Sequence, residues 1–291
     1  MADFVNELMG HDTSDPDRKT ACDAGASPLR IHDLQGASAA KRLGTKFHYF
    51  TEIDSTNSYA RRLAEQGAGE GEVVIAEQQN AGRGRSGRSW FSPPFVNLYT
   101  SIVLRPKLAP AHAPQITLMA AVALAETVAG FIPSRPAIKW PNDILVDGKK
   151  VAGILTESSC TAVGIEFVIL GIGVNLNLPR ARMPETIRDR ATSLMEIAGK
   201  PLSRELFLRR LIQDLDRCYG ILGDLGFAAI APRWETYFGL RGRRVRVEMI
   251  DEALSGTATG IDSDGALLLE DEAGVIHRVL AGDVIPLEDR T

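Results

Sequence analysis

Glu166-Phe167-Val168-Ile169-Leu170-Gly171-Ile172-Gly173-Val174 is the stretch on which the fold reading turns. A nearly unbroken apolar run of this length, rich in β-branched residues, is too short for a core helix and suits a strand at the centre of a sheet. Upstream, Asp147-Gly148 separates two more strand-like runs and signals a hairpin. Ala137 to Trp140 is a short strand ended by Pro141, Pro114 to Val128 an Ala-rich helix, and Asn97 to Leu104 a strand. Further back, Phe47, Tyr49 and Thr51 alternate with His48 and Phe50 as a strand, and Glu72 to Glu77 forms another. Between them Asp54-Ser55-Thr56 offers N-cap oxygens to a helix whose stripe includes Tyr59 and Leu63, with Gly67 as its C-cap.

Downstream, Phe207, Leu208, Leu211, Ile212, Leu215, Cys218 and Leu222 recur at helical spacing behind Ser203, and a second helix covers Phe227 to Tyr237. From Arg243 onward the runs Val245 to Met249, Thr257 to Ile261, Ala266 to Leu269 and Val275 to Leu280 are separated by Gly and Asp turns, as in a small barrel. The expected organisation is α+β: a tail over 1–45, a mixed-sheet domain over 46–240 and a β domain over 241–291.

Composition excludes several function classes. With 33 basic against 37 acidic residues the net charge is −4, so there is no diffuse basic field for nucleic acid and any anion site must be local. Cys22, Cys160 and Cys218 lie far apart, which fits reduced thiols better than disulfides or a zinc site. The longest apolar candidate, Ile116 to Ile132, is interrupted by Glu126 and Thr127, and the N-terminus is acidic where a signal peptide is basic. A cytoplasmic protein with no membrane partner is expected.

Two constellations could carry chemistry. Gly82-Arg83-Gly84-Arg85-Ser86-Gly87-Arg88 satisfies Gly-x-Gly-x-x-Gly, yet Ser89-Trp90-Phe91-Ser92-Pro93-Pro94 cannot open the helix that a dinucleotide fingerprint requires. On its own the loop fits a ligand-closing segment with arginines for carboxylate or phosphate oxygens, a solvated loop, or an RNA-binding arginine-glycine segment. Lys139-Trp140-Pro141-Asn142-Asp143 faces Lys149-Lys150-Val151-Ala152-Gly153 across the hairpin, and strand alternation lets only one of the two lysines point to a shared site. Taken alone, that pattern also fits a turn with solvated lysines. Ser55-Thr56-Asn57 reads as capping that could also receive ligand oxygens. Gly171 and Gly173 would let a ligand lie against the central strand.

Together, Asp54-Ser55-Thr56-Asn57, Ala76 to Arg85, Trp90-Phe91-Ser92-Pro93, Lys139 to Asp143, Lys150 to Leu155 and Gly171 to Asn175 resemble, in order, the motifs of the biotin protein ligases. The resemblance implies a mixed-sheet catalytic domain of the biotin/lipoate ligase type with a C-terminal SH3-like β-barrel. It implies that biotin and ATP, with Mg2+, give biotinyl-5′-adenylate, and that a lysine of a biotin carboxyl carrier protein domain then takes the acyl group.

By the same resemblance, Ser55, Thr56, Asn57, Gln79, Arg83, Gly84, Arg85, Trp90, Lys150 and Gly153 hold biotin, and Arg83, Arg85, Lys139, Asn142 and Asn175 face the nucleotide. Lys150, Arg85, Asp143 and Lys139 carry the chemistry, and no protein metal ligand is assigned. A homodimer is among the assemblies it allows. About 45 residues precede the first catalytic strand, too few for the winged helix of bifunctional members, so no DNA partner is expected. A lipoate ligase is the rival enzyme reading and an RNA-binding module the rival from another class.

Overall fold

The structure is a computed structural model that describes residues 27–31, 41–161, 164–249 and 251–287. Its elements run β1 (Lys46–Ile53), α1 (Thr56–Glu65), β2 (Glu72–Gln79), β3 (Leu98–Leu104), α2 (Pro114–Ala129), β4 (Ala137–Lys139), β5 (Asp143–Val146), β6 (Lys149–Thr161) and β7 (Gly164–Val174). They continue with α3 (Glu185–Arg188), α4 (Leu194–Ala198), α5 (Arg204–Leu225), α6 (Ala231–Tyr237), β8 (Arg244–Glu248), β9 (Ala253–Ile261), β10 (Leu267–Glu270), β11 (Ile276–Val279) and β12 (Asp283–Pro286). A seven-stranded sheet has the order β1-β2-β3-β7-β6-β5-β4, and a five-stranded antiparallel sheet the order β11-β10-β9-β8-β12. The expected α+β class with a small β unit behind it is what the chain forms. Only the β1/β2 pair is parallel in the large sheet, because α1 is the crossover that joins them.

The apolar run at 166–174 becomes β7, the centre of the large sheet, and its two faces are filled differently. Val168, Leu170, Ile172 and Val174 point into the main core with α2, which is buried along almost its whole length, and with Phe207, Leu208, Leu211 and Leu215 of α5. On the other face Phe167 and Ile169 pack under Ala60 and Ala64 of α1 together with Val74 and Val103. That stripe then continues as Gly171 and Gly173, so beyond the N-terminus of α1 the face is bare backbone.

Glu77 and Arg204 form a buried ion pair, 2.6 Å between Oε2 and Nη1, on side chains 0% and 4% exposed. Glu77 Oε1 also accepts from Leu29 N (2.6 Å) and the Tyr49 hydroxyl (2.9 Å), and Arg204 donates to the Asn97 and Ser27 carbonyls. Burial and the Glu77 contact push the Tyr49 phenol up to about 12. In the span read as a tail, Ser27 to Ile31 is therefore seated on this pair. Leu43 is buried as well, and Asp216 accepts from the amides of Lys41, Arg42 and Leu43. Residues 1–26 and 32–40, with Cys22 and the acidic N-terminus, lie outside the described residues.

Departures from the sequence reading are local. Gln66 caps α1 and Gly67, at φ +89°, follows it. A 3-10 turn at Phe227–Ala229 precedes α6, whose early Pro232 fits a first turn. α3, α4 and β12 had no signal, being four or five residues long.

Replacing Arg204 with Met should cost about 3–5 kcal/mol in urea denaturation, because it strands the Glu77 carboxylate in the core. Removing the exposed Arg246 at the Glu248 contact should cost less than about 1 kcal/mol.

Candidate active site

The bare end of the β6/β7 face is the floor of the site. Gly153 and Gly173 stand opposite each other in the ladder, and Gly171 is one step further along the same face. The Trp90 indole lies on this floor: a Cβ at Gly173 would sit 2.5 Å from its Cε2, and one at Gly153 3.0 Å from its Cζ3. A Cβ at Gly171 would meet Asn57 Oδ1 at 2.0 Å. These positions need glycine for close approach of side chains to backbone, since none of the three has a left-handed φ.

One wall is a chain of hydrogen bonds starting at the N-terminus of α1. Ser55 caps the helix, its Oγ 3.5 Å from Ser58 N. Thr56 donates from both its amide (2.9 Å) and its hydroxyl (3.1 Å) to Gln79 Oε1, and Gln79 Nε2 donates to Ser92 Oγ (3.0 Å). Ser101 Oγ lies 2.6 Å from Asn57 Oδ1 and 2.8 Å from Thr56 Oγ1, and Asn57 Nδ2 donates to Glu157 Oε2 at 2.8 Å. Ser55, Thr56, Asn57 and Ser92 are buried, so this wall presents fixed dipoles beside an apolar indole.

The Gly/Arg segment is folded. Trp90 N donates to Gly82 O (2.8 Å), Gly84 N to Arg88 O (2.6 Å), and Arg83 bridges Ser89, so 82–90 is a small hairpin. Ser86 (φ 53°) and Gly87 (φ 72°) make its turn. Its arginines turn onto the protein: Arg83 Nη2 to Glu157 Oε2 (2.5 Å), Arg85 Nη1 to Asn142 Oδ1 (3.1 Å) and Gly282 O (3.4 Å), and Arg88 Nη2 to Asp283 Oδ1 (2.9 Å). Asn142 in turn donates to Ile154 O (2.9 Å).

Lys150, on the returning strand, places Nζ 2.7 Å from Asp143 Oδ1 and 5.2 Å from the centre of the Trp90 ring. Burial pushes the Lys139 ammonium below the ordinary lysine range, and the Lys150 charge adds to this while Asp143 opposes it. Burial likewise works against the charged form of Arg85, with Asp283 and Asp143 offsetting it. Arg83, Arg85, Arg88, Lys139 and Lys150 thus stand near three carboxylates, Glu157, Asp143 and Asp283, a surplus of positive charge suited to an anionic guest. Asn175 sits behind this cluster with Nδ2 on Thr192 O (3.2 Å), beside the Lys150–Ala191 bridge.

The structure therefore brings Ser55, Thr56, Asn57, Gln79, Gly82 to Arg85, Trp90, Asn142, Asp143, Lys150 and Gly153 around one floor. Sequence reasoning missed Ser92, Ser101, Glu157, Gly282 and Asp283. Glu157 could have been found, since period-two alternation puts it on the Gly153 face. Asp283 comes from the other sheet, and no spacing announces it.

The family model described as the biotin/lipoate A/B protein ligase family matches residues 49–175, and one described as the biotin protein ligase C terminal domain matches 241–285. A biotin--[acetyl-CoA-carboxylase] ligase of Paracoccus denitrificans is 38% identical over 76% of this chain and 92% of its own length. A bifunctional ligase/repressor of Bacillus subtilis is 36% identical over 83% of this chain and 74% of its own. The solved biotin protein ligase from Aquifex aeolicus in complex with biotin and ATP superposes with a TM-score of 0.72 at 29% identity, over 84% of this chain and all of the other.

Gly173→Ala should drive Trp90 off the floor and shift tryptophan emission to the red, since Trp140 and Trp234 stay buried. An unchanged emission spectrum would contradict this packing. Because the folded Lys139 pKa lies below the unfolded one, the unfolded chain binds more protons in the window below about 10.5, and stability should rise with pH there. Lys139→Met should flatten that rise in a comparison of denaturation midpoints.

Proposed function

This chain belongs to the biotin protein ligase family, and from that membership we propose that it uses ATP to join biotin to a lysine of a carboxylase carrier domain. The observation that carries the reading is the closed Gly/Arg hairpin. It lays Trp90 on the glycine floor and brings Arg85 to the Asn142-Asp143 strand end, where β6 supplies Lys150.

A carboxylate and a triphosphate repel each other, so attack needs fixed positive charge at the meeting point. In this reading Lys150 exchanges Asp143 for the substrate carboxylate and α-phosphate. Arg85 and Lys139 accompany the nucleotide with Asn142, and Arg83 and Asn175 flank it. A biotin carboxylate oxygen attacks the α-phosphorus, and the bond to the β-phosphate oxygen breaks to release pyrophosphate. The ureido ring, which carries two N–H donors and a carbonyl, fits the dipoles of Ser55, Thr56, Asn57 and Gln79, with Gly82, Gly84, Gly153 and Trp90 shaping the pocket. Among the described residues no group of three or more His, Cys, Asp or Glu side chains converges, so magnesium is expected to arrive on the triphosphate.

Transfer follows when the carrier lysine nitrogen attacks the acyl carbon, AMP leaves, and the amine proton passes to Asp143, freed from Lys150. The carrier's approach is supported by the sheet edge. β5 covers β6 only as far as Gly153, and past it no strand among the described residues pairs with β6 on that side. A carrier strand added there would run in line with β5 and end at Asn142 and Asp143. A cavity of about 250 Å3 lies alongside, lined by Arg85, Pro141, Thr156, Ser158 and Leu280 among others. No helix among the described residues is long and apolar enough to cross a membrane.

Incubation with biotin, ATP and magnesium should release pyrophosphate and leave biotinyl-adenylate on the protein, detected by native mass measurement. Lipoate should not substitute, and equal turnover of lipoate would overturn the choice of substrate. Lys150→Ala should slow pyrophosphate release by about 100-fold or more while shifting stability by about 1 kcal/mol or less.

A further inference from the structure

We infer that Glu157 is a positioning residue that latches the 82–90 hairpin over the acyl-adenylate and ties its opening to arrival of the carrier. The inference rests on the ligase reading above. Glu157 Oε2 accepts from Arg83 Nη2 at 2.5 Å and from Asn57 Nδ2 at 2.8 Å. Asn57 is itself fixed: it is buried, packs on Gly171 and accepts from Ser101. An exposed ion pair contributes little when two long side chains must both be ordered to form it. Here the carboxylate, 22% exposed, is already oriented by a rigid amide, and closure orders only Arg83, which is 42% exposed.

The hairpin has two anchors on two bodies. Arg85 and Arg88 tie its turn to Gly282 and Asp283 at the start of β12, whereas Arg83 ties its base to β6 of the large sheet. Gly82, Gly84 and Gly87 interrupt the span, so with the base anchor gone little in the backbone keeps the hairpin on the floor. Glu157 also lies past the Asp143–Gly153 pairing, in the part of β6 whose outer edge no strand among the described residues pairs. A carrier strand added there reaches the same carboxylate that holds Arg83, and the ammonium of its acceptor lysine competes for it. One side chain therefore touches the closing hairpin, the helix start that holds the ligand and the strand that receives the acceptor. Release of the base anchor then coincides with presence of the nucleophile, which protects a hydrolysable mixed anhydride until it can be used.

The test compares the full chain with E157Q, which keeps an acceptor for Asn57 and removes the charge facing Arg83. Each is loaded once with labelled biotin and MgATP and filtered, and loss of label from the protein is followed, with and without an unrelated lysine-rich protein. E157Q should release pyrophosphate close to the parental amplitude. It should lose adenylate about tenfold faster, equivalent to about 1.4 kcal/mol, and should label the bystander protein. Parental escape should also quicken between low and high salt, because the Arg83–Glu157 contact is screened, whereas E157Q should respond little. Parental retention in E157Q, or parental escape indifferent to salt, would overturn the latch. A parent that releases no pyrophosphate would overturn the ligase reading and the latch with it.

Discussion

Backbone exposed on one face of a central strand pair is the constraint from which the rest of this molecule follows. β7 is filled on its α2 side by Val168, Leu170, Ile172 and Val174, which hold the large sheet together. Its other side changes from Phe167 and Ile169 to Gly171 and Gly173 at the point where α1 begins. A packed interior tolerates no empty floor, so the space over the glycines must be occupied by something that can leave or by something that belongs there. Trp90 and Asn57 take that place, and both are delivered by segments whose conformation is set elsewhere: one by a hairpin, the other by a helix cap.

Charge is distributed to match. The fully buried pair, Glu77 with Arg204, sits behind the site and joins the segment around Leu29 to β1, β2 and the first residue of α5. Because Glu77 is two residues from Gln79, the same burial that orders the N-terminal segment fixes the acceptor on which Thr56 rests. Arg83, Arg85 and Lys150 are instead only partly covered, and each has a carboxylate it can give up. Rigid electrostatics behind and exchangeable electrostatics in front are what a site needs when its guests are anions.

Most of the fold was legible because local signals agreed with tertiary demands. The apolar run at 166–174, the cap at Ser55, the Asp147-Gly148 turn and the α5 stripe each specify one structure by period or by turn chemistry. The candidate site was legible in part, because its motifs fall at strand ends and helix starts. Contacts made across sheets were not: Asp283 meets Arg88 over a separation of 195 residues, and no periodicity encodes such a meeting. No sequence pattern marks Arg204 or Glu77 for burial, and only packing between distant elements brings them together. Within the span expected as a tail, Ser27 to Ile31 is placed by contacts of the same kind. Five consecutive residues carry no period, yet one leucine amide and one carbonyl seat them on a buried charge.

Past Gly153 no strand among the described residues pairs with the outer side of β6, and this has a further consequence, for solubility. Open strand edges are templates for uncontrolled pairing between molecules, and proteins blunt them with charge, irregularity or short length. This edge runs through Thr156-Glu157-Ser158-Ser159-Cys160-Thr161, without a single large aliphatic side chain, and its register slips between Ser159 and Cys160. The neighbouring β7 is among the most apolar segments of the chain, but it is flanked on both sides and never presented. An open strand edge of this composition is polar enough to discourage fibrous self-association.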